Sequence, residues 1–561
     1  MAREKTFRPG HGSLGLTDEE LREIRACLDA GAPLPDKYRF RLFAPASEPL
    51  LVWQGKTPER CRETHPLIAR ECFGSAPEAA GAWRNLLVRG DNRLLLSSLL
   101  NGPLRRAVEA CGGIKLMYID PPFAVGADFA MPLAARTPEP REAGQDSGRR
   151  KSGEKTPRLL AYRDRWEQGL HSFLRMIHER LLLMRDLLAE DGSLYLHCDW
   201  RLAPHMRLVL DEVFGPERFL GDIVWHYTGG GRSERYFSRK HDRLLHYAAS
   251  NRWIFNVDAV RVPYKPTSGY AKGGITSAAG KRYNPNPLGT PVDDVWDIPM
   301  INPLSGERLD YPTQKPEALL ERIVMASSRP GDLVADFFCG SGTLPAVAEK
   351  LGRKWLAADS SPPAVHTTRK RLLDIRAGQP SDYPPQPFLL AEMASEPAAD
   401  SPASSDSAFF HQARFARQTL PYSISRIRTA TRIEGDHFAL ELTGFSPAVS
   451  DRPSDSGSQK APAEDAAQFA ALLRRDWRDW LDYWSIGAPG DFFPLPGGME
   501  KDLHCNGILW HSARKRKGAG PETRSPLLPL PGRGQKPPAL ILTIVDIFAN
   551  ESRLPVRLFS E

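Results

Sequence analysis

The stretch DLVADFFCGSGTLPAVAEKLGRKWLAAD, residues 332–359, reads as strand, glycine turn, helix and strand. DLVADFF (332–338) has the apolar, β-branched character of a buried strand, PAVAEKLG (345–352) that of a helix, and KWLAAD (354–359) that of a second strand. Two strands joined by a helix must run parallel, which predicts an α/β sheet. The turn reads Asp336-Phe337-Phe338-Cys339-Gly340-Ser341-Gly342-Thr343. Glycines at 340 and 342 let the backbone approach a ligand at a helix N-terminus, and Asp359, closing the second strand, can accept ribose hydroxyls. An adenosine-type cofactor is one reading of this turn; a simple tight turn is the other. The run Gly340-Ser341-Gly342-Thr343-Leu344-Pro345 lacks the third glycine of a dinucleotide fingerprint, which disfavours a dinucleotide.

Directly upstream, TQKPEALLERIV (313–324) sets Thr313, Gln314 and Lys315 in a loop that opens a helix. A lysine charge and helix N-terminal N–H groups can neutralise a carboxylate, as the methionine end of S-adenosylmethionine requires; an N-capped helix is the plainer reading. Further upstream, IKLMYID (114–120) is a buried strand running into Asp120-Pro121-Pro122-Phe123. A carboxylate, two residues without N–H donors and an aromatic ring then stand at the sheet edge where ligands bind. The amine of adenine is a poor nucleophile because its lone pair is delocalised into the ring. Asp120 and the Pro121 carbonyl could accept its two hydrogens while Phe123 stacks on the base. A strand ending in a proline turn is again the bland alternative. Between these motifs the apolar positions Leu170, Phe173, Leu174, Ile177, Leu181, Met184 and Leu188 make one helix face, followed by the strand SLYLHCD (193–199).

The ordered blocks NLLVRGDNRLLLSSLL (85–100), MYIDPPFAVGADF (117–129), YRDRWEQGLHSFLRMIHERL (162–181), DGSLYLHCDWR (191–201), DIVWHYTGGGRSERYFSRKHDRLLHY (222–247), DDVWDIPMI (293–301) and YPTQKPEALLERIV (311–324) resemble the β-class amino-methyltransferases of DNA, in particular modification-subunit-like members. In that class the catalytic block precedes the cofactor block, as here. The resemblance implies a Rossmann-like S-adenosylmethionine-dependent α/β sheet. It implies Asp120, Pro121, Pro122 and Phe123 at the target amine. Around S-adenosylmethionine it implies Thr313, Gln314, Lys315, Asp336, Phe337, Phe338, Cys339, Gly340, Gly342, Thr343 and Asp359. Phe337 stands where the family usually has proline, and Leu344 replaces a common threonine. Asp at the first position of the catalytic block favours N6-adenine, whereas cytosine-N4 enzymes more often carry Ser. No Pro-Cys nucleophile of the cytosine-C5 kind is present.

The target-recognition region is expected over about 225–310. There Arg232, Arg235, Arg239, Lys240, Lys281 and Arg282 interleave with tyrosines in a pattern suited to phosphates and exposed bases, or to a solvated face. Double-stranded DNA is the expected partner. A restriction subunit and a second copy of the chain are partners the resemblance admits. The alternatives from other classes are a catalytically silent DNA-binding subunit and methylation of another amine in RNA or protein.

The rest of the chain sets the frame. Its 561 residues, 41% hydrophobic and 25% charged, suit two to four domains at about 150 residues each, and the net charge of +7 fits a polyanionic partner without requiring one. No apolar run approaches a membrane span of roughly 18 residues. The seven cysteines form no CxxC pair, no metal is expected, and a reducing cytoplasm is the expected compartment. Proline-rich stretches at 132–157, 377–404 and 519–538 read as loops or linkers. The predicted organisation is an N-terminal extension (1–37) bearing one amphipathic helix and a methyltransferase domain (38–380). The latter divides into a catalytic half (85–225), the recognition region and a cofactor half (311–380). A flexible linker (381–408) and a separate C-terminal β-rich accessory module (409–561) follow.

Overall fold

The computed structural model describes residues 17–31, 35, 38, 51–53, 56, 60–74, 83–132, 158–166, 169–229, 232–378, 382–395, 422–434, 437–449, 481–489, 499–513, 521–526, 528–529, 540–546 and 551–556. The chain opens with α1 (Asp18–Asp29), the expected amphipathic helix, started by a capping box between Thr17 and Glu20. β1 (Leu67–Phe73), β2 (Asn85–Arg89), α2 (Asn92–Asn101), α3 (Leu104–Ala110) and β3 (Ile114–Ile119) follow, and then the hairpin of β4 (Ala127–Pro132) and β5 (Arg158–Asp164). α4 (Leu170–Leu187), β6 (Leu188–Asp199), α5 (Ala203–Phe214), β7 (Phe219–His226) and β8 (His241–Ala248) complete the first half. The segment that follows is irregular, with α6 (Gly269–Gly273), the short hairpin β9 (Ile275–Thr276) and β10 (Arg282–Tyr283), and β11 (Val295–Asp297). The cofactor half contains α7 (Glu317–Ser327), β12 (Leu333–Asp336), α8 (Thr343–Lys350), β13 (Lys354–Asp359), α9 (Pro362–Gly378) and β14 (Phe388–Met393). The remaining strands are β15 (Tyr422–Glu434), β16 (His437–Val449), β17 (Leu481–Pro489), β18 (Met499–Ala513), β19 (Leu528–Pro529), β20 (Leu540–Asp546) and β21 (Glu551–Val556).

The main sheet runs β11-β7-β8-β6-β3-β12-β13-β2-β14-β1-β18-β17-β20-β21. From β6 to β14 its strands are parallel, and β8 lies antiparallel against β6. This is the predicted α/β sheet, with β3 and β12 as direct neighbours although the whole recognition region separates them in sequence. Apolar layers cover both faces. On one, Phe173, Leu174, Ile177, Leu181 and Met184 of α4 pack with Leu86, Met117 and Ile119; on the other, Leu319, Leu320 and Ile323 of α7 pack with Leu116 and Val334. Each such side chain contributes about 1.5–3 kcal/mol by leaving water.

One expectation is corrected. The linker placed over 381–408 contains β14, whose Phe388–Ala391 are buried and whose backbone pairs with both β2 and β1. The apolar run PFLLAEM lies inside a Pro/Ala/Ser-rich stretch, so composition averaged over the stretch concealed a strand. Residues 396–408 lie outside the described residues, as does the insert at 133–157. The C-terminal part is β-rich, as its alternation predicts. β15, β16 and β19 form a sheet of their own, while β17, β18, β20 and β21 continue the main sheet beyond β1. Glu71, at a bulge in β1, is buried against Arg369 (2.7 Å) and Ser485 (3.3 Å), tying α9 to β17. No helix among the described residues is long and apolar enough to cross a membrane.

Candidate active site

β3 ends at Ile119, and the next residue, Asp120, stands half-buried at the C-terminal edge of the sheet. Its Oδ2 is ion-paired with Lys315 Nζ, and the same ammonium lies 5.4 Å from the centre of the half-buried Phe123 ring. The floor beneath is His197, on the neighbouring strand β6 and fully buried. Its Nδ1 meets the Tyr118 hydroxyl at 2.8 Å and its Nε2 meets Asp242 Oδ2 at 3.3 Å. Burial pushes the Tyr118 hydroxyl well above its ordinary range, so it keeps its proton. Burial would raise the Asp242 carboxyl, but the His197 bond and the nearby Lys315 charge outweigh it and hold it low. His197 comes within 4.0 Å of Asp120 Oδ1 and packs against Phe123 (ring centroids 5.9 Å) and edge-on to Trp225 (5.6 Å).

The far end of the Asp120–Phe123 loop is held by Asp164. This buried carboxylate accepts from Ala124 N–H (2.8 Å), Val125 N–H (2.9 Å) and Trp166 Nε1–H (3.0 Å), and its backbone carbonyl accepts from Gly126 N–H (3.0 Å). Ala124 has φ +53°, a left-handed conformation that an alanine adopts only when its surroundings impose it.

The cofactor turn joins β12 to α8. Gly340 and Gly342 take φ +49° and +72°. A Cβ on Gly342 would meet the Thr368 side chain at 2.6 Å, so only glycine fits there. Asp359 Oδ2 accepts the Gly340 N–H (2.9 Å) and Oδ1 the Ser361 N–H (2.8 Å). Asp336 is buried and accepts from Phe338 N–H (2.9 Å). Burial raises its carboxyl well above the ordinary carboxylate range, and the charges of Asp120 and Asp359 raise it further. Burial raises Asp359 as well. Asn92, at the start of α2, donates to the Phe337 carbonyl (2.7 Å) and is itself held by Arg180 (2.5 Å). Asp120, Asp336 and Asp359 are thus close enough to act on one another electrostatically, with Lys315 as a cation that offsets them.

Comparison with known proteins fits this geometry. The DNA methylase family of N6 and N4 type matches residues 114–370. The Type II methyltransferase M1.MboII of Moraxella bovis is 34% identical over 207 residues, covering 34% of this chain and 75% of that protein. The chain belongs to the N6/N4 DNA methylase family. The methylase is also similar to the DNA adenine methyltransferase YhdJ of Escherichia coli K12 (27% over 261 residues; 46% of this chain, 76% of that one). Its match to the Type II methyltransferase M.HpaI of Haemophilus parainfluenzae (31% over 205 residues) covers 36% of this chain and spans 60% of that protein's length. Among solved structures, the PvuII cytosine-N4-specific DNA methyltransferase aligns at TM-score 0.33 with 18% identity, over 55% of this chain and 92% of that one; so distant a likeness adds nothing to the fold read from the strand order. S-adenosylmethionine is the methylase's cofactor.

Of the expected residues, Asp120 is ion-paired with Lys315, whose ammonium lies over Phe123, and Asp359 accepts from Gly340 N–H; the charges of Asp120, Asp359 and Lys315 all act on Asp336. Other expected cofactor residues make different contacts. Phe337 is fully buried among the core residues of its face, because strand alternation that points Asp336 one way points its neighbour the other; only its backbone carbonyl takes part. The Cys339 and Thr343 side chains are buried beneath the turn, beside Thr368 and Arg371 respectively. Gln314 braces its own loop, donating to the Glu307 carbonyl and accepting from Leu309 N–H (both 2.8 Å). Thr313 is exposed, with φ +60°, and touches the Tyr162 hydroxyl (3.2 Å). Lys315, expected beside the methionine carboxylate, is paired with Asp120 instead. The reason is topological: α7 packs beside β3 and delivers the preceding loop to the end of that strand.

The basic residues divide into two groups. Arg232, Arg235 and Arg239 are exposed on the β7–β8 connection, with Lys240 at its end. Lys281 and Arg282 are exposed on the β9–β10 hairpin. Sequence reading missed His197, Asp164, Asp242 and Asn92. The blocks containing them are visible in sequence, but nothing in a strand's pattern marks which polar residue faces a site on another strand.

Proposed function

We propose that the methylase transfers the methyl group of S-adenosylmethionine to the N6 amine of an adenine rotated out of duplex DNA. The observation that carries this reading is Asp120 at the end of β3, one oxygen engaged by Lys315 and the other turned toward the His197 side, beside the Gly340–Gly342 turn. When bound, the cofactor supplies an electrophilic methyl on its sulfonium. The chain's own residues make the amine a nucleophile. Asp120 Oδ1 and the Pro121 carbonyl accept its two hydrogens and draw the nitrogen lone pair out of conjugation. Pro121 and Pro122 stiffen the loop, and Asp164 and His197 fix its two ends, so the acceptors are in position before the base arrives. Phe123 offers a face on which the extruded base stacks. After transfer the nitrogen sheds a proton, and Asp120 is the base nearest to receive it.

The test is expression of the full chain in a host without endogenous DNA methylation, followed by sequencing for modified bases. N6-methyladenine at one recurring sequence, absent with Asp120→Ala, is the expected result. N4-methylcytosine at such a site would replace the adenine reading, and unmodified DNA would overturn both. A restriction subunit and a second copy of the methylase are proposed partners, testable by co-purification and by the solution mass.

A further inference from the structure

We propose that Phe237, at the tip of the β7–β8 connection, is a wedge that enters the base stack of duplex DNA where the target nucleotide leaves it. The inference rests on the adenine-methylation reading and adds an element it does not contain. Phe237 is 98% exposed and its neighbour Tyr236 58%. A single exposed apolar side chain needs no explanation; this one is set in a cationic loop and presented by a built turn. Ser233 Oγ accepts from the N–H groups of Arg235 and Tyr236 (3.3 Å each), and Ser233 N–H donates to Ser238 Oγ (2.9 Å), closing the turn that projects Phe237. Arg239 lies between two rings, 4.0 Å from the centre of Trp200 and 4.6 Å from that of Tyr236, which fastens the loop to the end of β6. Arg232, Arg235, Arg239 and Lys240 flank Phe237 in sequence on the same connection, with Glu234 as the only acid from 232 to 240.

The loop also springs from the right place. β8 pairs with β6 so that Asp242 faces Asp199, and with β7 so that Asp242 faces Trp225. Asp242 and Trp225 both contact His197, which also packs against Phe123 and approaches Asp120. An exposed aromatic ring on a cationic connection, between strands whose Asp242 and Trp225 pack on His197, suits a duplex with one nucleotide extruded. The cations take the phosphates, and the ring takes the stacking surface exposed on the neighbouring pairs.

The test uses the full-length enzyme and the duplex sequence found by the modification mapping, with 2-aminopurine at the target adenine. Phe237→Ala should bind the matched duplex roughly 10- to 100-fold more weakly, on the scale of one base–aromatic stack, and lose the fluorescence rise that reports unstacking. Phe237→Trp should keep both. A duplex in which the target faces an abasic position is already open there, so Phe237→Ala should recover binding and fluorescence on it. Wild-type behaviour of Phe237→Ala on the matched duplex overturns the wedge, and so does an equal loss on both duplexes, which would mark a contact to the backbone. Transfer of labelled methyl by the wild-type enzyme reports separately on the adenine reading, so a wild-type enzyme that methylates while Phe237→Ala is indifferent overturns the wedge alone.

Discussion

In the proposed reaction Asp120 is the residue that meets the target amine, and its contacts separate two jobs. Its carboxylate is paired with Lys315, and the Gly340 turn is organised by a different acid, Asp359. Asp120→Ala should therefore abolish methyl transfer while changing S-adenosylmethionine affinity less than threefold, as measured by calorimetry beside a labelled-methyl assay. Comparable loss of both would refute the division. The DPPF and glycine motifs were readable in sequence because each is a short run whose residues act together. His197 and Asp164 were not. A histidine inside an apolar strand and an aspartate at a strand end look the same whether they serve a site or the core. Only the register of β6 against β3, and of β5 against β4, brings them to the catalytic loop.

At the scale of elements, the β12–α8 turn and the loop that Asp164 of β5 holds before β4 carry left-handed residues. Gly342→Ala would have to hold a Cβ at φ +72° and 2.6 Å from Thr368, so the turn must shift; we expect a loss of at least about 1–2 kcal/mol of stability and weakened cofactor binding, read by thermal unfolding with and without S-adenosylmethionine. Asp164→Asn keeps the size but offers one acceptor oxygen where the carboxylate offers two to Ala124, Val125 and Trp166. The loop should loosen, lowering kcat 10-fold or more with the cofactor Kd little changed; an equal change in both would mean that the hairpin serves the fold and not the loop. α4 was legible from its apolar stripe, and the βαβ unit from its turn. β14 was hidden because five apolar residues cannot outweigh the proline-rich composition around them.

For the whole molecule, two buried histidines contribute to the response to acid. Burial holds His246 down to about 3 and His366 down to about 4, the latter despite the opposing pull of Asp482. Both are neutral when folded, and each takes up a proton near pH 6.5 when unfolded. The unfolded chain binds more protons below that pH, so stability is at its full value above about 6.5 and declines as pH falls toward the folded values. At pH 5 each histidine should cost about 2 kcal/mol. His246 stacks on Tyr195 (4.0 Å), so His246→Phe should lower the slope of urea stability between pH 7 and 5. An unchanged slope would assign the acid response elsewhere. Chain length gives a second test. A protein ending at residue 380 lacks β14 and should fail to fold, because β2 loses a parallel neighbour and β1 a partner; one ending at 395 should retain cofactor binding, measured by calorimetry.

The adjacency of β3 and β12 also sets a schedule for synthesis. The catalytic strand leaves the ribosome well before the strand that must dock beside it, and at about 5–20 residues per second that interval amounts to roughly ten to forty seconds; the arginine-bearing β7–β8 loop precedes the same strand by roughly five to twenty seconds. Throughout that interval one side of β3 has no partner and Asp120 has no lysine. A nascent chain can therefore offer cationic loops to nucleic acid before it can hold a cofactor, and a stalled ribosome would release a binder without turnover. Slowing translation between residues 250 and 330 should raise the share of chains captured by chaperones while leaving the specific activity of the finished enzyme unchanged.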